Sequence, residues 1–165
     1  MAIDYSHLDA LAAKLMRDRK THPNRETGFV YRHGGRVAVS VIALRKRVMA
    51  GESHDDALRV AAMFHDIGEG IEPHARSGAL LAQDALRERV PPDVLAEAVR
   101  LIAEHQSYQT NDPWVQLLQD ADVLDHFGTL DVGLAFQYGA YSHSTPKRTQ
   151  RSERFFRKTR SRKEA

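Results

Sequence analysis

Residues 62–69 read Ala-Met-Phe-His-Asp-Ile-Gly-Glu, an apolar run that ends abruptly in a histidine and an aspartate side by side. An imidazole nitrogen and a carboxylate oxygen together suit a divalent ion of intermediate hardness. The pair His65-Asp66 alone is weak evidence for a metal site, because a histidine in the last turn also favours the helix dipole and Gly68 suits a C-terminal cap. The stretch predicts a helix end, and a metal site there if the chain supplies further ligands.

Two other stretches supply such ligands. Residues 31–37 read Tyr-Arg-His-Gly-Gly-Arg-Val and contain His33, and residues 118–125 read Leu-Gln-Asp-Ala-Asp-Val-Leu-Asp and contain Asp122. Apolar residues with helical spacing lie between these stretches. The order of histidine, histidine-aspartate and aspartate resembles the HD superfamily, the metal-dependent phosphohydrolases named for this ligand set. The resemblance extends over more than half of the chain.

This resemblance implies a metal centre with a catalytic acid beside it. The implied ligands of the first metal are His33, His65, Asp66 and Asp122. Asp66 and Glu69 are the implied catalytic residues, since Glu69 completes a His-Asp-x-x-Glu pattern that in several HD nucleotidases supplies the acid that orients or deprotonates water. An exposed loop residue is the alternative for Glu69. A nitrogen and oxygen ligand set without thiolate favours Mn, Fe, Co, Ni or Mg, with one or two ions per chain, over a structural zinc site.

Two further histidines match a second site. In HD relatives with two metals, histidines at positions that correspond to His74 and His105 complete a second site, which the doublet aspartate bridges. The alternative is that these two histidines contact substrate phosphates. Arg36 and Arg76 are predicted to bind substrate phosphate, because each lies next to a proposed ligand at a helix start; ordinary surface arginines are the alternative. Asp125, one turn beyond the last ligand, is expected to orient a ligand or cap a neighbour rather than bind metal.

The predicted function is hydrolysis of a nucleotide or related phosphate ester by metal-activated water. The expected partner is therefore a small phosphorylated substrate, and a homodimer is compatible with the sequence. Two alternatives stay open. One is a mixed-valence di-iron oxygenase, which uses the same ligands together with the two extra histidines. The other is a non-catalytic regulatory or nucleic-acid-binding HD protein, against which the intact ligand set and Glu69 argue.

Composition and periodicity predict one all-α domain. A chain of 165 residues is long enough for one compact domain and too short for two of ordinary size. The sequence has no cysteine, which excludes disulfides, and no apolar run of the ~20 residues that a membrane span needs, so a cytoplasmic protein is expected. No segment alternates with period two over a convincing length. The resemblance adds that about six to seven helices form an HD-type bundle with the metal site in its core.

Local patterns predict the helix limits. Residues 6–9 form a capping-box sequence that opens a first helix to about Lys20. The other predicted helices are one over about 29–49, one capped by residues 53–56 that runs to the doublet, one over roughly 74–89, one opened by residues 91–93, and a long one signalled by residues 111–113 that runs to about 138. Gly34-Gly35 inside the second helix costs about 1 kcal/mol per glycine relative to alanine. This cost indicates close approach of another backbone or a ligand, unless the helix starts after Gly35.

Charge divides the chain into a predicted HD domain, 1–146, and a basic C-terminal tail, 147–165. The domain contains 15 Lys and Arg against 20 Asp and Glu, whereas the tail contains 9 against 2. Such a tail is able to bind nucleic acid or phosphates. The favoured interpretation is a solvated, partly helical end that docks through Phe155 and Phe156.

Overall fold

The structure of the chain, a computed structural model, describes residues 2–21, 25–49, 51–107 and 109–126. These residues form six α-helices and no strand, which confirms the predicted all-α class. The helices are α1 (Tyr5–Met16), α2 (Phe29–Val48), α3 (Asp55–Phe64), α4 (His74–Leu86), α5 (Pro92–Glu104) and α6 (Pro113–Asp125). None of them is both long enough and apolar enough to span a membrane.

The chain divides into two compact units, Met1–Asp125 and His126–Ala165. All six helices belong to the first unit. The predicted domain boundary after residue 146, the basic tail and the predicted continuation of the last helix to about Tyr138 lie outside the described residues.

The first helix begins before the predicted capping box. Oδ1 of Asp4 accepts hydrogen bonds from the backbone N–H groups of Ser6 (3.0 Å) and His7 (3.1 Å), and Asp4 itself has extended backbone angles. The prediction of Ser6 as the cap was therefore wrong. An aspartate caps as well as a serine, so the residue upstream competes on equal terms for the free N–H groups. The helix also ends at Met16, before the predicted Lys20.

The second helix runs without interruption through its two glycines. A Cβ atom on Gly34 would lie 2.6 Å from the carbonyl oxygen of Met63 at the end of α3, whereas a Cβ atom on Gly35 would meet nothing within 4 Å. Close approach of another backbone is thus confirmed at Gly34, and the alternative of a helix start after Gly35 is wrong. The contact brings α2 against the stretch that leads into the doublet.

Turn chemistry accounts for the later helix starts. Pro92 occupies the first turn of α5, where its missing N–H costs nothing. Oδ1 of Asp112 accepts from the backbone N–H groups of Trp114 (2.8 Å) and Val115 (3.3 Å), and so caps α6. The fourth helix begins at His74 as predicted but ends at Leu86, before the predicted residue 89.

The apolar core lies where α3 packs against α2 and α5, with α6 against α2 and α4 against α5. Its largest fully buried apolar side chains come from five helices and are Leu8, Met16, Leu58, Phe64, Leu86, Leu101, Ile102 and Leu118. His33, His65 and His105 are buried among these groups. Buried imidazoles are uncommon without partners, which makes their surroundings the natural place to look for chemistry.

A second glycine contact positions the turn after the doublet. A Cβ atom on Gly68 would lie 2.4 Å from the backbone N of Gly78 and 2.4 Å from the carbonyl oxygen of His74, both on α4. Gly68 does not have a positive φ, so it is not the left-handed cap that its position after a helix allows. Its missing side chain instead lets the turn touch α4, which brings His74 beside the doublet.

Candidate metal centre

The four predicted ligands of the first metal converge from three elements: α2, the residues directly after α3, and α6. Nε2 of His33 lies 3.0 Å from Oδ1 of Asp122 and 3.8 Å from Oδ2 of Asp66. Nε2 of His65 lies 3.5 Å from Oδ2 of Asp66 and 3.7 Å from Oδ1 of Asp122. Two atoms that each bind one ion at ~2.1 Å lie about 3.0–4.2 Å apart. All four distances fall in this range.

Hydrogen bonds at the far side of each ring aim the two histidines. Nδ1 of His33 donates to Oδ2 of Asp125 at 2.7 Å, and Nδ1 of His65 donates to the carbonyl oxygen of Ala62 at 2.9 Å. When a ring is neutral with its proton on Nδ1, its Nε2 atom carries the lone pair, and in both rings this atom faces the carboxylates. Within the described ranges, Nε2 of His65 is buried without any hydrogen-bond partner. Such an atom ordinarily costs ~1–3 kcal/mol, and metal ligation is the use that explains it.

The charges of this cluster also suit a cation. Burial disfavours the charged form of His65, but the carboxylates of Asp66 and Asp122 outweigh it and raise the pKa of His65 to about 10. The cluster thus holds a proton when no other cation is present. A divalent ion that binds Nε2 of His65 displaces that proton, because a metal ligand has to be deprotonated. Charge, distances and ligand types all fit a divalent metal.

A second cluster lies on the other side of Asp66. Its Oδ1 atom is 3.7 Å from Nε2 of His74 and 3.8 Å from Nε2 of His105, whereas Oδ2 faces the first pair of histidines. Nδ1 of His105 donates to the carbonyl oxygen of Ile102 at 2.6 Å, so its Nε2 is also aimed by the backbone. Burial, followed by the charge of His65, lowers the pKa of His105 to about 4 and keeps this ring in the neutral form that binds metal. The carboxylate of Asp66 thus faces both pairs of histidines, one through each oxygen.

Glu69 is only half-buried on the turn after the doublet and has a defined partner. Its Oε2 atom accepts a hydrogen bond of 3.0 Å from Oγ1 of Thr21. Burial and the charge of Asp66 raise the pKa of its carboxyl. The side chain of Arg19 binds the backbone of the same turn, since its guanidinium donates hydrogen bonds to the carbonyl oxygens of Ile67 and Glu69. Sequence reasoning missed Arg19 and Thr21, because no local pattern marks a contact between residues about fifty positions apart.

The two arginines predicted to bind phosphate lie in different surroundings. Nε and Nη2 of Arg36 each donate to the carboxylate of Asp125 at 2.8 Å, and its side chain is about half exposed. Arg36 therefore supports the carboxylate that orients His33. Arg76 is exposed on α4, two residues after His74. Binding of substrate phosphate stays a prediction for both residues.

A third arginine near the site was missed from the sequence. The guanidinium carbon of Arg25 lies 3.9 Å from the centre of the Phe29 ring, and that ring stacks on the imidazole of His33 at 5.3 Å between centres. The positive charge of Arg25 also lowers the pKa of Glu69, in opposition to the effect of burial. Arg25 thus adds a cation to the side of the centre where Glu69 lies.

Comparison with known proteins agrees with this geometry. The family model described as HD domain matches residues 30–126, more than half of the chain. The matched range contains every residue of both clusters. No curated protein and no solved structure matches the chain significantly.

Proposed function

The chain belongs to the HD domain family, and from this premise we propose that it is a metal-dependent phosphohydrolase that acts on a nucleotide or a related small phosphate ester. One observation carries the proposal: the Nε2 atoms of His33 and His65 face Asp66 and Asp122 at 3.0–3.8 Å, with each Nδ1 atom already engaged. This is an oxygen and nitrogen site with oriented ligands. Phosphoryl transfer by metal-assisted attack of water needs such a site.

Each group has a separate part in the proposed reaction. His33, His65, Asp66 and Asp122 would hold the first ion, and Asp66, His74 and His105 would hold a second. When bound, a divalent ion polarises a phosphoryl oxygen and makes attacking water more acidic. Water forms the new bond to phosphorus as the bond from phosphorus to the leaving oxygen breaks. Glu69 takes the proton of the attacking water and can return it to the leaving oxygen. Burial raises the pKa of Glu69, which strengthens its carboxylate as a base.

A di-iron oxygenase is the competing proposal, because the cluster of Asp66, His74 and His105 would serve it as well as a two-metal hydrolase. That cluster gives the second site three potential ligands whose facing atoms lie within 4.8 Å of one another. Glu69 has a role as a base in hydrolysis, and we can derive no role for it in oxygenation. Hydrolysis is therefore preferred. The nucleotide is the favoured substrate class because the His-Asp-x-x-Glu pattern resembles that of several HD nucleotidases.

The test is a screen of the purified protein against nucleotides and simple phosphate esters with Mn, Mg, Co, Ni or Fe, with and without oxygen. We expect metal-dependent phosphate release that does not need oxygen. Glu69→Gln should lower turnover by ~10²-fold or more at unchanged metal content, because it keeps the size of the side chain but removes the base. Glu88→Gln, an exposed position between α4 and α5, is the matched control.

Three outcomes contradict the proposal. Oxygen uptake coupled to turnover, restored by iron alone, would establish the oxygenase. A protein that binds metal but releases no phosphate from any ester would be a regulatory HD protein. Equal turnover in Glu69→Gln and the wild type would remove Glu69 from the mechanism.

A further inference from the structure

The segment after α1, residues 19–21, donates three hydrogen bonds to the turn that carries Glu69. Nη1 and Nη2 of Arg19 donate to the carbonyl oxygens of Ile67 (2.5 Å) and Glu69 (2.8 Å). Oγ1 of Thr21 donates to Oε2 of Glu69 at 3.0 Å. The partners are 48–50 residues apart in sequence, so tertiary packing alone brings them together.

The guanidinium of Arg19 binds backbone carbonyl groups rather than a carboxylate. A guanidinium binds a carboxylate with two parallel hydrogen bonds when it serves as an ion pair, as Arg36 does with Asp125. Arg19 instead donates hydrogen bonds to two backbone carbonyl groups of one turn. The turn also has its own backbone hydrogen bonds, from Glu69 N to Asp66 O (2.9 Å) and from Ile71 N to Gly68 O (2.9 Å). Arg19 therefore adds a constraint to a turn that already closes by itself.

A constraint of this kind matters for a general base. A glutamate on a turn has three rotatable side-chain bonds, and a misplacement by ~1 Å is able to cost about 10²-fold in rate. The hydroxyl of Thr21 engages one carboxylate oxygen, Oε2, which leaves Oε1 to take a proton. Backbone and carboxylate of Glu69 are thus held by two different residues of the same segment.

We propose that Arg19 and Thr21 are positioning residues for Glu69: Arg19 holds the backbone of its turn, and Thr21 selects the orientation of its carboxylate. The inference rests on the proposed role of Glu69 as the base. The segment after α1, outside the family's motif residues, is then a working part of the site.

Thr21 is tested by removal of one hydroxyl. Thr21→Val keeps the shape of the side chain, and we expect kcat to fall about tenfold while KM and metal content stay within about twofold of the wild type. Thr21→Ser restores the hydroxyl and should recover most of kcat. In a Glu69→Gln background, Thr21→Val should cost less than twofold, because the group through which it acts is already lost. An equal loss in both backgrounds would show a merely structural role and overturn the proposal for Thr21.

Arg19 is tested by a measurement that needs no catalysis. Arg19→Met should increase amide hydrogen exchange at Glu69 and Ile71 by about tenfold or more, without a change in α4 or α5. Lys20→Met, which removes an exposed cation from the neighbouring position, is the matched control and should leave exchange unchanged. Arg19→Lys keeps the charge but loses the planar fork, so it should give an intermediate increase.

These measurements separate failure of the inference from failure of the proposed function. If the wild type releases no phosphate, the proposed function fails. Faster amide hydrogen exchange in Arg19→Met would still support the role of Arg19 in holding the backbone of the turn. If the wild type is active, unchanged exchange in Arg19→Met or full kcat in Thr21→Val overturns the positioning role.

Discussion

Oδ2 of Asp125 lies 2.7 Å from Nδ1 of His33 and accepts a hydrogen bond from it, which turns the opposite ring nitrogen towards Asp122. Burial opposes the charge on Asp125, but hydrogen bonds from His33 and Arg36 hold the pKa of its carboxyl far below the usual range. Asp125 therefore stays ionised and keeps one tautomer of His33. This agrees with the orienting role predicted for Asp125 from its position one turn after a ligand.

The first prediction concerns this pair. Asp125→Asn keeps the shape of the side chain but removes the negative charge. In the wild type, that charge orients the imidazole of His33 and makes it more basic. We expect the affinity for Mn or Co to fall 10–100-fold, as for other groups that support a metal ligand without touching the metal. Competition with a chromophoric chelator measures it. Asp84→Asn, exposed on α4, is the control; equal affinities of the two variants would contradict the assigned role.

The second prediction concerns the number of ions. Oδ2 of Asp66 faces the first histidine pair and Oδ1 faces His74 and His105, so Asp66→Ala should reduce the affinity of both sites. His74→Ala and His105→Ala should each lose one ion and keep the other. Elemental analysis of protein purified without chelator is the measurement. A content of one ion in the wild type and in both histidine variants would show a single metal.

The third prediction uses the neighbouring glycines of α2 as a matched pair. Gly34→Ala puts a methyl group 2.6 Å from the carbonyl oxygen of Met63, and we expect a loss of roughly 1–3 kcal/mol in the free energy of unfolding. Gly35→Ala meets nothing within 4 Å and should instead stabilise the helix by about 0.5–1 kcal/mol. Urea denaturation of both variants gives the comparison. Equal effects would mean that α2 and α3 do not approach as closely as described.

The fourth prediction is a dependence of stability on pH. Arg100 donates to both carboxylate oxygens of Glu97 at 2.7 and 2.9 Å and to Oδ2 of Asp112 at 2.7 Å, joining α5 to the start of α6. Hydrogen bonds from Arg100 lower the pKa of Glu97; at Asp112, burial is outweighed by the capping N–H groups and Arg100, and its pKa is lowered as well.

Groups with a lowered pKa stabilise the folded state above their ordinary values, 4.5 and 3.8 here, and this stabilisation is lost as the pH falls through their folded-state values. Wild type should therefore exceed Arg100→Met in the free energy of unfolding by about 1 kcal/mol near neutral pH, since the network is partly exposed. The difference should shrink below about pH 4. Urea denaturation at several pH values measures it, and a constant difference would show that packing of the arginine stem is responsible.

Helical class and the candidate metal ligands were accessible from the sequence because both are marked by short-range patterns. The spacing of Val37, Val41, Leu44 and Val48 predicts one buried face of a helix. Val37 and Val41 are buried and Leu44 is partly buried, whereas Val48 at the end of α2 is exposed. The helices α2 and α4 begin at the predicted residues. The ligands stand in a fixed order along the chain. The first helix start was misplaced because Asp4 and Ser6 are equally suitable caps, and only the path of the chain decides between them.

The sequence by itself determined that this chain is an all-α HD domain and identified its histidine and aspartate residues as candidate metal ligands. Tertiary structure alone decided which oxygen of Asp66 faces which histidines, that Asp125 takes both His33 and Arg36, and that Arg19 and Thr21 hold Glu69. The partners of Glu69 and Asp125 lie 48–92 residues away along the chain, so no local spacing encodes their contact. Distances of a few tenths of an ångström decide hydrogen bonding and ligation, and they are set by helix packing at contacts such as Gly34 on Met63.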